Sequence, residues 1–522
     1  MSDPEVHTPH ELDPELVSSS LHNEDLAPTP PEARTWTTYN YAALWIGMAH
    51  CIPTYMMASG LIQKGMDWKQ ALFTILLGNL IVLIPMLLNS FPGTRYGLPF
   101  PVICRASFGT SGANLPAVLR ALVACGWFGI QTWIGGEALH NLLVAAWPAW
   151  KGVPGGVGIC FTLFWLLNMW IIWKGMNAVR WFEGWAAPAV LVVTLILLVY
   201  MVHRANGLGP ILAQSSKFTT VGQFLTVLPL FLTAQIAFWA TLSLNMPDFT
   251  RYARDQKSQM LGQTLGLPPT MTLFSAMGVV ITSATVVVYG KARLAAGLPE
   301  AISDPIELLA QPEFGHPLVV LISLISIGVA TLSVNVAANV VSPAFDFANL
   351  WPSKIDFRIG GTITGVIGIL MMPWKLLESV ESYMFVWLAG YSIVLGPIAG
   401  IMICDFWLLR RQHLSVRQLY MKDGMYSYCH GWNRWAVWAL VLAALPNLPG
   451  FLITWITVEG GKENFVAGLS QSMQGFAHAA LGIYEFSWMV GFALGFALYG
   501  AFMKLFEREQ LTREAHAAME GA

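Results

Sequence analysis

Long apolar runs separated by short polar breaks occupy the chain from residue 36 to residue 505. About 20 apolar residues in a helix cross about 30 Å of hydrocarbon, and most of these runs reach that length. They predict helices near 36–60, 70–90, 115–147, 154–174, 179–203, 223–250, 261–291, 316–342, 359–375, 382–408, 434–456 and 480–505. The expected fold class is all-α and integral to the membrane, with about twelve spans, so both termini return to one side. Two of the runs are interrupted. The first carries GMAHCIPTY (47–55), with Pro53 at its centre, and the sixth runs FWATLSLNMPDFTRYA (238–253) to Pro247 and Asp248. Proline lacks an amide hydrogen and clashes with the preceding turn, so each is a candidate break. Broken backbone at membrane depth is tolerated where it lines a cavity or is covered by protein. Spans one and six stand five apart, and interruptions at corresponding positions of two halves point to an inverted-repeat transporter with its site at the midplane. Two kinks that serve only helix packing would leave the same trace.

Polar residues inside the runs sharpen this. Trp127 and Gln131, in CGWFGIQTW (125–133), lie one helical turn apart on one face. A flat ring could stack on the indole while the amide reads its N–H and C=O edge. Most membrane Trp serve interfacial belts, however, and the chain has 22. Ser333, Asn335 and Asn339 form a second cluster in the eighth run, where amides face the bundle interior or bond to a neighbouring helix. Glu137, six residues past Gln131 and towards the outer end, and His50, beside the first break, are candidate proton carriers. For His50 the competing reading is a neutral ring bonded to an opened backbone carbonyl. Asp248 and Asp405, beside Arg251 and Arg410, read as ion-pair or gate residues.

Composition agrees with the patterning: 55% hydrophobic and 11% charged, against about 25% charged in soluble domains. Residues 1–35 are acidic and proline-bearing, with no basic start or apolar core of a signal peptide, and read as a disordered cytoplasmic tail. Placing that tail inside puts most of the 28 Lys and Arg on the same side, densest at 410–422. The location expected is the cell (inner) membrane, multi-pass, with both termini cytoplasmic. The segment 91–114 is too rich in Gly and Pro to span; it reads as a linker under the bundle, or as one anchored at headgroups by Arg95 and Arg105. Six scattered Cys show no metal spacing. No catalytic constellation stands at membrane depth, so a membrane-embedded enzyme is disfavoured, and a channel would need no stacking site. No cofactor or nucleic-acid partner is called for. The lipid bilayer is a partner, and the chain reads as a monomer.

Several stretches together resemble the nucleobase:cation symporter-1 family of hydantoin, allantoin and uracil permeases. They are NEDLAPTPPEARTW (23–36), YGLPFPVICRASFG (96–109), ACGWFGIQTW (124–133), FWATLSLNMPDFTRYA (238–253), ISDPIELL (302–309), ATLSVNVAANVVSPA (330–344), ILMMPWK (369–375) and GYSIVLGPIAGIMICDFWLLRR (390–411). The resemblance implies the LeuT-type five-plus-five inverted repeat with two extra C-terminal helices. The halves would be 36–203 and 223–408, followed by a basic loop (409–433), two helices (434–505) and a tail (506–522). It implies import of a planar nitrogen heterocycle by cation symport, with substrate held by Trp127, Gln131, Phe238, Trp239 and Asn339, and Tyr391 gating. Cys51 stands where some relatives carry an amide. The family's sodium site falls on Gly47, His50, Ala330, Ser333 and Val334. Val334 replaces a hydroxyl ligand, so H+ is favoured over Na+ as the coupling cation.

Overall fold

The computed structural model describes residues 19–174, 191–311, 317–458 and 461–507. Among these residues nine helices are long and apolar enough to cross a membrane. Beside them stand a broken pair, α1 (Thr38–Ala49) and α2 (Ile52–Gln63), and two shorter apolar helices, Leu191–Arg204 and Phe357–Leu370. The expected fifth span begins at 179, and its part up to residue 190 lies outside the described residues.

In chain order the bundle continues with α3 (Trp68–Tyr96), α4 (Phe100–Phe108), α5 (Asn114–Ala146), α6 (Gly156–Lys174) and α7 (Leu191–Arg204). The second interrupted run is α8 (Val221–Phe238) and α9 (Ala240–Asn245), followed by α10 (Gln256–Ala295). Next come α11 (Pro317–Asn339), α12 (Val341–Leu350), α13 (Phe357–Leu370) and α14 (Ser382–Leu409). The last are α15 (Arg434–Ile456), α16 (Gln471–Glu485) and α17 (Ser487–Phe506). The final span thus starts at Ser487, not near 480, because the backbone leaves the helix at Phe486.

Two helices organise the packing. Helix α5 is surrounded by α6, α11, α12 and α13, and α10 lies against α1, α2 and α3. Close approach comes from glycine: a Cβ at Gly129 would run into the Gly368 carbonyl, so α5 and α13 cross backbone to backbone.

Both predicted interruptions exist, with different anatomy. At the first, His50 and Cys51 leave the helix and Pro53 sits in the first turn of α2. The orphaned Ile46 carbonyl meets the His50 ring at Nδ1, 2.5 Å away. The bonded-ring reading of His50 is the one observed. The second break falls at Trp239, eight residues before the expected Pro247. Pro247 instead opens a short turn (Pro247–Thr250), where a missing amide hydrogen costs nothing. At Trp239 the amide reaches back only to Ala237 and Ile236, and the Ala237 carbonyl also accepts from the Tyr391 hydroxyl of α14 at 2.7 Å.

The disordered-tail expectation fails for residues 19–35; residues 1–18 lie outside the described residues. This segment is a strap across one end of the bundle. Arg251 donates to the Thr29 hydroxyl (2.6 Å) and the Asp25 and Ala27 carbonyls (3.0 and 2.6 Å), and the Tyr420 hydroxyl donates to Leu26 (2.6 Å). Arg105 is not at a headgroup surface. It is fully buried, donating to Leu21, Leu419 and Asn349. Carbonyls and a side-chain amide solvate its charge, which is how a buried cation without a carboxylate partner is tolerated. Of segment 91–114, residues 91–96 complete α3 with Pro92 inside it, and the remainder carries α4, packed against α5 and α12 as a linker.

Candidate functional site

The site is built where α5, the α8–α9 break, α11 and α14 meet. Trp127 projects from α5 against Phe238, with ring centroids 5.1 Å apart and nearly perpendicular planes. Phe238 in turn meets Trp239 at 4.9 Å, and Trp239 rests edge-on against Trp45 of α1 at 5.0 Å. From α14, Trp387 approaches Trp127 (6.5 Å) and stacks edge-on with Tyr391 (5.1 Å). Gly126 makes room for this, since a Cβ there would run into the Trp387 ring. Helix propensity alone would not place these rings together; the break at Trp239 turns two consecutive aromatics towards α5.

Within this aromatic shell several polar atoms lack protein partners. The Gln131 Oε1 and the Trp239 indole N–H are buried, with no hydrogen bond among the described residues, and the buried Trp127 indole N–H faces only the Tyr391 hydroxyl. The Gln131 amide faces the Cys51 thiol at the first break. An unmet buried polar group costs about 1–3 kcal/mol, so a cluster of them marks a place where a ligand can repay the cost. Asn339 stands at the end of α11, its amide donating to Asn335 at 3.1 Å.

Contacts between helices flank the site on both sides. Towards one end Tyr383 of α14 donates to the Pro53 carbonyl (3.3 Å), and Lys64 of α2 pairs with Glu381. Towards the strap end Arg120 of α5 pairs with Asp346 of α12 at 3.0 Å, both fully buried, and Asp248 accepts from the Phe100 amide (2.8 Å). Asp405 and Arg410 form a second buried pair at 2.7 Å. Asp405 thus pairs with Arg410 as its position suggested, whereas Asp248 bonds the first amide of α4 and neighbouring Arg251 turns to the strap instead.

The structure therefore brings Trp127, Phe238, Trp239 and Tyr391 into one cluster, with Gln131 one turn from Trp127 and Asn339 on the adjoining helix. Gly47 lies on α1 and His50 just past its end, and Ala330 and Ser333 lie on α11, which packs against α1. Glu137 sits apart, further along α5, where it feels the Asp304 carboxylate. Asp304 caps a short helix through the Ile306 amide, and burial pushes its carboxyl up to about 6. Trp45, Tyr383 and Trp387 escaped sequence reading because nothing separates them from the other aromatics. Asn168, a lone amide in the apolar run of α6, was a readable signal that went unused.

Comparison with known proteins now gives the family. Residues 28–491 match the family model described as permease for cytosine/purines, uracil, thiamine, allantoin. The chain is 43% identical over 453 residues to the purine-uracil permease NCS1 of Arabidopsis thaliana, covering 85% of this chain and 74% of that protein. It is 39% identical over 517 residues to the allantoin permease of Bacillus subtilis (strain 168), covering 97% and 98%. Its fold matches that of Mhp1, a nucleobase-cation-symport-1 family transporter solved closed with bromovinylhydantoin bound. The TM-score is 0.73 at 22% identity, over 95% of this chain and all of that one. The paired breaks thus belong to the LeuT-type inverted repeat, and the chain is a multi-pass membrane transporter, not an enzyme. It belongs to the family of permeases for cytosine/purines, uracil, thiamine and allantoin.

Proposed function

We propose that the protein imports a planar nitrogen heterocycle, a nucleobase such as uracil or a hydantoin or allantoin, by cation symport with alternating access. The observation that carries this is the closed aromatic shell of Trp127, Phe238 and Trp239 around the unpaired Gln131 oxygen. A flat ring with alternating N–H and C=O groups matches both the indole faces and the orphaned polar atoms. The names of the two relatives, one for purines and uracil and one for allantoin, support the same class. Tyr391 acts as the gate at the second break, and the halves 36–203 and 223–408 exchange access around the site. The strap end is assigned to the cytoplasm of the cell (inner) membrane, which keeps both termini there.

For the cation, Gly47, His50 and Ala330 offer backbone carbonyls and Ser333 a hydroxyl, while Val334 offers no side-chain oxygen. Losing a ligand oxygen weakens the hold on a hard cation, so the reading favours H+ over Na+, with His50 and Glu137 as carrier candidates. Uptake of labelled uracil, hydantoin and allantoin should be saturable, persist in sodium-free buffer and fall with a protonophore. Strict dependence on sodium would overturn the proton assignment, and absence of uptake for every heterocycle would overturn the substrate class.

A further inference from the structure

Below the aromatic shell a chain of side-chain amides crosses from α6 to α11. Asn168 donates to the Phe164 carbonyl at 2.9 Å, and its Oδ1 accepts from Asn335 at 3.2 Å. The Asn335 Nδ2 also faces the Phe128 carbonyl (3.3 Å) and the Thr132 hydroxyl (3.1 Å). The Thr132 hydroxyl spends its own proton on Phe128, at 2.7 Å, so its oxygen can only accept from Asn335. A backbone carbonyl never donates, so every group around the Asn335 nitrogen demands a donor. Its amide therefore cannot flip. The Asn335 Oδ1 is left pointing to Asn339, which must answer with an N–H, at 3.1 Å. Asn168 and Asn335 are fully buried, whereas Asn339 keeps 8% of its surface.

We propose that Asn335 is a specificity-setting positioning residue: it fixes Asn339 with its carbonyl oxygen presented to the ligand, so that this edge of the site selects a ring bearing an N–H. Among the described residues no hydrogen bond engages the Asn339 Oδ1, whereas its Nδ2 is committed to Asn335. Gln131 is held more loosely: its amide faces only the Cys51 thiol, a weak partner, and its Oε1 meets no protein donor among the described residues. One edge reader is rigid and the other adaptable. The ligand class this selects is a cyclic amide, imide or ureide with a free N–H; a ring that offers only an acceptor or an N-methyl group at that edge is rejected. An anchored polar network holds its orientation because every member is satisfied, and removing the central member frees the rest.

This inference rests on the substrate class proposed above. The test is competition binding to the purified full-length protein with uracil, 1-methyluracil and 3-methyluracil. Wild type should prefer uracil over one of the methyl isomers by about tenfold or more, the cost of leaving one buried acceptor unmet. Asn335→Leu should lose that discrimination, to within about threefold, with Thr132→Val intermediate, while thermal unfolding reports how much of each protein remains folded. A merely structural Asn335 would lower the folded fraction and leave the ratio unchanged, and that result would overturn the proposal. If Asn335→Leu does not fold, Thr132→Val alone decides, an undiminished ratio being contrary. A wild type that binds uracil and both methyl isomers equally also contradicts it. If hydantoin and allantoin fail as well as uracil, it is the substrate class that falls.

Discussion

The two interrupted helices solve one physical problem by different means. Each break strands a carbonyl that a continuous helix would satisfy. At the first, the remedy is local: the His50 ring reaches back four residues to Ile46, and Pro53 begins the next helix. At the second, the remedy comes from another helix, with Tyr391 of α14 bonding Ala237. The first break can hold its shape whatever α14 does. The second is tied to α14, whose first turn already touches the first break through Tyr383 and Pro53. Movement of one helix thus addresses both interruptions and the aromatic shell between them. Gate and site are linked through a single element.

That contrast can be broken from either side, and the larger effect belongs to the distant cap. Tyr391→Phe removes the hydroxyl that bonds the buried Ala237 carbonyl across the two helices, at a cost of about 0.5–1.5 kcal/mol. We expect a lowered melting temperature together with an uptake rate reduced about tenfold or more, measured on equal amounts of folded protein. Unchanged transport would detach Tyr391 from the gate. The smaller effect is at the self-capped break. His50→Gln keeps a side-chain amide that can donate to Ile46, so stability should change by about 1 kcal/mol or less. The same variant sharpens the coupling question, because glutamine cannot titrate: retained proton-driven accumulation leaves Glu137 as the carrier candidate, and its loss with binding intact assigns the proton to His50.

How much of this could be read beforehand follows the same division. The first break was legible because its cause, Pro53, lies within the segment. The second was legible as an interruption but misplaced, since Pro247 marks the start of a turn and the true break at Trp239 depends on Tyr391, more than a hundred residues away. The ring-stacking residues were legible from a helical spacing reinforced by family resemblance. The amides of α11 were visible as a cluster, but their direction is set by the Phe128 and Phe164 carbonyls, which no side-chain pattern reveals. Arg105 looked like a headgroup anchor and Arg251 like the partner of Asp248. Both donate to main-chain carbonyls of the strap, whose acidic, proline-bearing composition gave no sign of packing. Local causes were readable, and remote ones were not.

The central claim is that a flat heterocycle occupies the shell formed by Trp127, Phe238 and Trp239. Equilibrium binding of labelled uracil, hydantoin and allantoin to purified wild type and Trp127→Ala tests it most directly. Removing a stacking plane costs about 1–3 kcal/mol by analogy with base–aromatic stacking, a loss of about 5- to 150-fold in affinity. The account predicts saturable binding by wild type to at least one of the three and a loss of that size in the variant, with melting temperatures that show both proteins folded. Near-wild-type affinity in folded Trp127→Ala would contradict it.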